Sequence, residues 1–254
     1  MLVACCQLDI AWQDKPANYT RVERLLDEAN LPAGALVLLP EMFATGFSMN
    51  AAAVAEPLEG PTARFLSDQA RRRGIYLMAG EAIDAGGPRP QNEALVLDPQ
   101  GQLLCRYAKR HLFSFAGEPE HYSPGEEIVA FAWSGTMVAP SICYDLRFPE
   151  QYRAASARGA EILAVIACWP AAREEHWLAL LQARAIENQC YVAAVNRCGR
   201  DPSGQAYSGR SRIIDPRGTV LADAGNGEGI IRAAVDLSAL RSYRREFPAL
   251  RDRR

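Results

Sequence analysis

Short apolar runs alternate with segments whose apolar positions recur every three or four residues, and these two rhythms predict strands and helices in turn. Residues 2–8 read as a strand, and Tyr19, Val22, Leu25, Leu26 and Ala29 then mark one face of a helix over 17–29. A strand over 35–39 and a loop through Asn50 lead to a helix over 62–73. Gly60-Pro61 opens that helix and Gly74 closes it, since proline suits a first helical turn and glycine the left-handed residue after the last. Strands follow at 75–81, 93–97 and 102–108, the last two joined by a turn at Asp98-Pro99-Gln100-Gly101. A hairpin is expected from 127–131 and 136–142 across Trp133-Ser134-Gly135. The rhythm then repeats: helix 148–158, strand 162–167, helix 173–189 and strand 190–196. Short strands around Asp215-Pro216-Arg217-Gly218, a strand over 229–235 and a helix over 237–243 complete the chain. Strands that are apolar throughout argue for an α/β fold whose sheets are covered by helices. No glycine-rich linker divides the chain, so one domain over 1–254 is expected.

Three polar residues stand where apolar strands end. Glu41 follows Ala35-Leu36-Val37-Leu38-Leu39-Pro40, and Lys109 follows Gln102-Leu103-Leu104-Cys105-Arg106-Tyr107-Ala108. Cys143 ends the run Thr136-Met137-Val138-Ala139-Pro140-Ser141-Ile142 and precedes a turn into a helix. A cysteine at a helix entrance meets positive partial charge and unpaired N–H groups, which favour a thiolate and bind a developing oxyanion. Of the 28 basic residues only Lys15 and Lys109 are lysine. A chain that otherwise uses arginine keeps lysine where a compact, titratable ammonium is wanted. Polar groups at strand ends of such a scaffold converge on one crevice.

Composition narrows the partners. A net charge of −2 gives no reason to expect nucleic acid or an anionic membrane surface. The arginine-rich end (Arg241, Arg244, Arg245, Arg251, Arg253, Arg254) is read as solvated or as touching a second subunit. The seven cysteines show no C-x-x-C spacing, so neither a zinc site nor a disulfide framework is expected, and their odd number fits a reducing compartment. The chain opens into a strand with no charged-then-apolar leader and has no apolar stretch of membrane length, so a cytoplasmic protein is expected. Neither G-x-G-x-x-G nor a Walker-type glycine loop occurs, which leaves nucleotide cofactors unsupported.

Leu39-Pro40-Glu41-Met42-Phe43, Lys109-Arg110-His111-Leu112-Phe113 and Ile142-Cys143-Tyr144-Asp145-Leu146-Arg147-Phe148-Pro149-Glu150 resemble the three signature blocks of the nitrilase superfamily, the carbon–nitrogen hydrolases. Gln7-Leu8-Asp9, Ala183-Arg184-Ala185-Ile186-Glu187-Asn188-Gln189 and Asn196-Arg197 resemble further segments in the same order, so the resemblance spans almost the whole chain. It implies a four-layer αββα sandwich that pairs with a second copy as a homodimer. It implies a Glu–Lys–Cys triad, carried here by Glu41, Lys109 and Cys143. A second glutamate is implied shortly after the lysine; Glu118 fits by its distance ahead of Ser123-Pro124-Gly125, and Glu120 competes for the place. Thr45-Gly46-Phe47-Ser48-Met49 and the 171–189 segment with His176-Trp177 look most similar to omega-amidases, which hydrolyse the terminal amide of 2-oxoglutaramate and 2-oxosuccinamate. Cys168 stands before Trp169-Pro170 where asparagine is expected in that branch, a departure that bears on substrate preference.

An unactivated amide needs a strong nucleophile, proton delivery and oxyanion binding together. On this reading Cys143 attacks, Glu41 carries the proton, and Lys109 with the backbone N–H of Tyr144 binds the oxyanion, with no metal or organic cofactor. Phe43, Phe47 and Trp169 are either core aromatics or walls of a small-molecule pocket. Asp145 and Arg147 are expected to pair at the turn, and Arg184 with Glu187 along a helix. The group that holds a substrate carboxylate is not identifiable from sequence. The rivals are another amidase of the superfamily, acting on N-carbamoyl or deaminated-peptide substrates, nitrile hydrolysis by the same thiol, and a non-catalytic dimeric scaffold. A papain-like site needs His111, His121 or His176, and no cysteine-protease signature accompanies Cys143.

Overall fold

The computed structural model describes residues 1–253; Arg254 of the arginine-rich end lies outside the described residues. Two sheets lie face to face. In the first, the strand order is Gly229–Ala234, Leu2–Gln7, Leu36–Leu38, Tyr76–Asp84, Gln91–Leu97 and Leu103–Ala108, with Glu56–Pro57 beside Tyr76–Asp84. The central strands Leu2–Gln7, Leu36–Leu38 and Tyr76–Asp84 run parallel and the outer ones antiparallel. In the second sheet the order is Val220–Asp223, Arg212–Ile214, Tyr191–Asn196, Ala160–Ala167, Thr136–Ile142 and Phe131–Trp133. Its core strands Thr136–Ile142, Ala160–Ala167 and Tyr191–Asn196 are parallel.

The period-two alternation of strand side chains sorts the first sheet into two faces. Val3, Cys5, Leu36, Leu38 and Met78 meet the second sheet's Val138, Ile142 and Val195 in the central layer. Ala4, Cys6, Val37, Leu39 and Leu77 point the other way, against Val22, Leu25 and Leu26 of the helix Lys15–Ala29 and Leu66 and Ala70 of the helix Pro61–Arg73. Tyr152, Ala155, Trp177 and Leu181 bring the helices Pro149–Ala157 and Glu174–Asn188 onto the far side of the second sheet. Each fully buried leucine here contributes about 1.5–3 kcal/mol relative to exposure. The result is the expected αββα sandwich.

The five long helices lie where the sequence indicated, within two or three residues at their ends: Lys15–Ala29 starts two residues earlier than expected and Leu237–Glu246 runs three further. Pro61 occupies the first turn, and Gly74 closes the helix at φ +63° with its N–H bonded to Ala70 and Arg71 carbonyls. The expected hairpin is shifted: Phe131–Trp133 pairs with Thr136–Ile142 across Ser134-Gly135 alone, and 127–130 form no strand. Both turn residues have positive φ, and Trp133 is fully buried, so the tryptophan belongs to the strand and the turn is a two-residue one. All seven cysteines are free thiols. The arginine-rich end packs on its own chain: Arg241 grips Glu161 at 2.8 Å and Arg244 donates to the Gln189 carbonyl at 2.9 Å. Among the described residues, no helix is long and apolar enough to cross a membrane.

Candidate active site

The strand Leu36–Leu38 delivers Glu41 to the interior, and its neighbour Tyr76–Asp84 passes so close that only glycine fits at position 80. A Cβ there would lie 2.5 Å from the Glu41 Cα. Glu41 is fully buried. Its Oε1 accepts from Lys109 Nζ at 2.8 Å and from Asn92 Nδ2 at 2.7 Å, and its Oε2 accepts from the Cys168 backbone N–H at 2.8 Å. Lys109 continues the strand Leu103–Ala108 and is tied down by its backbone, donating to the Asn92 carbonyl and accepting from Gly125 N–H, each at 2.8 Å. Its ammonium also donates to Glu118 Oε1 at 3.0 Å and Oε2 at 2.9 Å. Glu118 begins a short helix, Glu118–His121, and is buried, whereas Glu120 is exposed. Glu118 is therefore the glutamate that meets Lys109, and its second oxygen also accepts from Phe113 N–H at 2.5 Å.

Cys143 turns out of the strand Thr136–Ile142 at φ +47°, a left-handed conformation that costs a non-glycine residue about 1–3 kcal/mol and marks functional turns. Asp145 holds this turn. It accepts from Ile142 N–H at 2.9 Å, from Tyr107 Oη–H at 2.7 Å and from His111 N–H at 3.0 Å. One buried carboxylate thus locks the cysteine turn to the loop after Lys109. The Asp145–Arg147 pair expected from sequence does not form, because Asp145 points inward to these donors while Arg147 points to the pocket. Arg184 and Glu187 do pair, at 2.8 Å, and Arg184 also donates to the Leu146 carbonyl at 2.7 Å, bracing the same turn.

The electrostatics correct one expectation. Burial works against the Lys109 charge, but Glu118 and Glu41 overcome it and hold the ammonium well above its ordinary range. Burial and then the Glu41 charge push the Cys143 thiol well up, with Lys109 pulling the other way. Two carboxylates and one ammonium already leave the cluster with an excess negative charge, so a thiolate would add a second in a desolvated site. Moreover, a five-residue 3₁₀ turn, Cys143–Arg147, separates the sulfur from the helix Pro149–Ala157. Burial and the Glu41 charge therefore oppose the thiolate that the helix-entrance reading favoured.

Beside Cys143 lies a cavity of about 400 Å³. Phe47 and Trp169, expected from sequence as possible walls, line it together with Trp12, Phe113, Tyr207 and Tyr144, whose backbone N–H was expected to face the substrate. Phe43 does not; it packs in the core against Tyr19 and Phe65. The Phe47 ring centroid lies 5.0 Å from Lys109 Nζ, shielding the ammonium from water. Two cations reach the cavity, Arg147 over Trp169 at 4.8 Å and Arg173 over Phe113 at 5.3 Å, and neither pairs with a carboxylate among the described residues. His176 is exposed and contacts Arg147 at 3.2 Å, so it offers no support for a cysteine–histidine site. Among the described residues, no group of three or more His, Cys, Asp or Glu is placed to hold a metal. Asn92, Arg147 and Arg173 were missed as site residues. Arg147 lies one turn beyond Cys143, which was its only signal, while Asn92 and Arg173 carry none in the sequence.

The carbon–nitrogen hydrolase family matches residues 2–245. The chain is 36% identical over 251 residues to the 2-oxoglutaramate amidase of Bacillus subtilis, covering 98% of this chain and 96% of that protein. It is 40% identical over 247 residues to the omega-amidase YafV of Yersinia enterocolitica, covering 97% and 94%. It is also 36% identical over 255 residues to a deaminated glutathione amidase of Synechocystis, covering 93% and 92%. Among solved structures it superposes with a TM-score of 0.93 on XC1258 from Xanthomonas campestris, a superfamily protein with an arsenic adduct in its active site. That pair is 35% identical, with 100% of this chain and 97% of that one covered. The chain belongs to the carbon–nitrogen hydrolases of the nitrilase superfamily, in the omega-amidase branch, and is an amide-hydrolysing enzyme.

Proposed function

We propose that this enzyme releases ammonia from the terminal amide of small 2-oxo dicarboxylate monoamides, 2-oxoglutaramate and 2-oxosuccinamate, through a thioester on Cys143. The observation that carries the reading is the guanidinium of Arg147, which has no carboxylate partner among the described residues and faces, one turn beyond the cysteine, a pocket whose aromatic walls are shared with Arg173, Asp201, Ser203 and Gln205. An arginine without an acidic partner in such a wall suits a substrate carboxylate. The names of two relatives, a 2-oxoglutaramate amidase and an omega-amidase, point the same way.

The steps follow from the groups present. Cys143 Sγ attacks the amide carbon as its proton passes to Glu41. Lys109 has three N–H hydrogens: one goes to Glu41, one is shared by the two Glu118 oxygens, and the third is left for the oxyanion. The backbone N–H of Tyr144, in the first turn of the 3₁₀ segment, has no partner within that turn and supplies a second donor. Loss of one such donor costs about 2.7–4 kcal/mol, or about 10²–10³ in turnover. Glu41 then protonates the nitrogen, the C–N bond breaks, and ammonia leaves a thioester. Water attacks that thioester as Glu41 takes its proton; the C–S bond breaks and the sulfur recovers the proton. Glu118 keeps Lys109 charged throughout. We also place the enzyme in the cytoplasm, as a homodimer of single-domain chains spanning 1–254.

A second reading, hydrolysis of a deaminated peptide, is favoured by Arg173 and the outlying Phe115, which is 85% exposed beside it and widens the binding surface. Ammonia or amine release from 2-oxoglutaramate, 2-oxosuccinamate, deaminated glutathione and an N-carbamoyl amino acid separates the readings. No turnover of the two oxo-amides rejects the first.

A further inference from the structure

Asn92 touches all three charged residues of the site. Its backbone carbonyl accepts from Lys109 N–H at 2.8 Å, which sets the height of the lysine along its strand. Its side-chain amide donates to Glu41 Oε1 at 2.7 Å and to Glu118 Oε1 at 3.0 Å. Both facing atoms are carboxylate oxygens, which only accept while ionised, so the nitrogen is the end that points at them. Each amide hydrogen serves one glutamate. The oxygen of the same amide, Oδ1, is buried without a partner. A side chain held this way is retained for its two donors, because an unsatisfied buried acceptor is unfavourable in itself.

The geometry points to Asn92 as a positioning residue of the reaction: its amide fixes the Glu41 carboxylate and reserves Oε2 as the oxygen that takes the cysteine's proton. Oε1 already accepts two bonds, from Lys109 and Asn92, and a carboxylate oxygen has about two lone-pair sites. Oε2 accepts only the Cys168 N–H, so a lone pair remains on that side. Donor bonds favour the charged carboxylate. The lysine alone would draw Glu41 and Glu118 together as competing partners, whereas the amide bridges them at a fixed spacing. This inference rests on the assignment of Cys143 as nucleophile and Glu41 as proton carrier.

Its test is the pH dependence of ammonia release by the full-length enzyme carrying Asn92→Ala or Asn92→Asp. Asn92→Ala removes a donor from Glu41, which then takes up a proton more readily. The acid limb of kcat/KM moves to higher pH, kcat at the optimum falls about 10- to 100-fold, and KM stays near the native value. Asn92→Asp keeps the shape but adds a third carboxylate, and moves the limb further in the same direction; it carries the test if the alanine variant does not fold. Acid limbs superimposed on the native one in both folded variants overturn the proposal, whatever their thermal stability. Cys143→Ala, measured alongside, separates the two levels. If it still releases ammonia, the nucleophile assignment fails; if it is inactive while the Asn92 variants keep the native limb, only the role of Asn92 fails.

Discussion

Replacing Arg147 with leucine removes one group from the pocket and little from the fold. Arg147 has no carboxylate partner among the described residues, so its loss strands no buried charge. Folding stability falls by the stacking on Trp169, worth about 0.5–1 kcal/mol at a half-exposed site, and by the exposed contact with His176. The effect on substrate is larger. A hydrogen bond to a charged group is worth about 1.5–3 kcal/mol, which at 1.4 kcal/mol per decade is about 10- to 150-fold. The carboxylate is held equally in ground and transition states, so the loss falls on KM and leaves kcat near native. Steady-state ammonia release measures it, with 2-oxoglutaramate compared against an uncharged primary amide of similar length. The expected outcome is a large loss for the oxo-acid amide and almost none for the neutral one. Equal losses for both substrates, or no loss for either, would refute the assignment of Arg147 as the carboxylate anchor.

Other perturbations test other links. Glu118→Gln removes a negative charge beside Glu41, so the acid limb of kcat/KM moves to lower pH, opposite to the Asn92 variants, and kcat falls at least about tenfold because Lys109 is less firmly held. Tyr107→Phe deletes the 2.7 Å bond to Asp145 and is expected to cost about 1–3 kcal/mol, seen as a Tm lower by about 2–4 °C per kcal/mol in thermal unfolding. Glu81 is buried near Lys15 and Thr62 with neither carboxylate oxygen hydrogen-bonded; burial and the Glu56 charge raise it from 4.5 to about 9. The folded state then holds a proton that the unfolded chain has released, so native stability declines as pH rises from about 4.5 to about 9. Glu81→Gln is expected to lose this decline and gain on the native protein steadily over that window, measured by denaturant unfolding; parallel pH profiles would contradict it.

The sheets were legible because their strands are apolar on both faces, a pattern that only a covered sheet satisfies. The site's charged residues were legible for a related reason. Glu41 follows a wholly apolar strand, and Lys109 is one of two lysines in the chain and stands at a strand end, so a carboxylate and a rare lysine there call for partners. The hairpin at Trp133 was misplaced because a tryptophan beside Ser-Gly reads equally as turn or strand until its burial is known. The thiolate expected at Cys143 assumed a helix directly after it, whereas a 3₁₀ turn intervenes and burial with the Glu41 charge pushes the thiol up. Although the strand begins at Gln91, the sequence placed Asn92 just ahead of a strand over 93–97, where an asparagine is an ordinary residue, so Asn92 was illegible. Its role arises only when residues 41, 92, 109 and 118 meet. Asp145 was assigned the wrong partner because Arg147 is near in sequence, while Tyr107 and His111 are near in space.

In the proposed reaction one sulfur, served by one carboxylate and one ammonium, bonds to the substrate's carbonyl carbon. Mass spectrometry of the enzyme quenched during turnover of 2-oxoglutaramate tests it directly. The account predicts an acyl group on the peptide containing Cys143 and none on the peptide containing Cys168. An adduct on Cys168 or another thiol, or full activity in Cys143→Ala with no adduct anywhere, would contradict it.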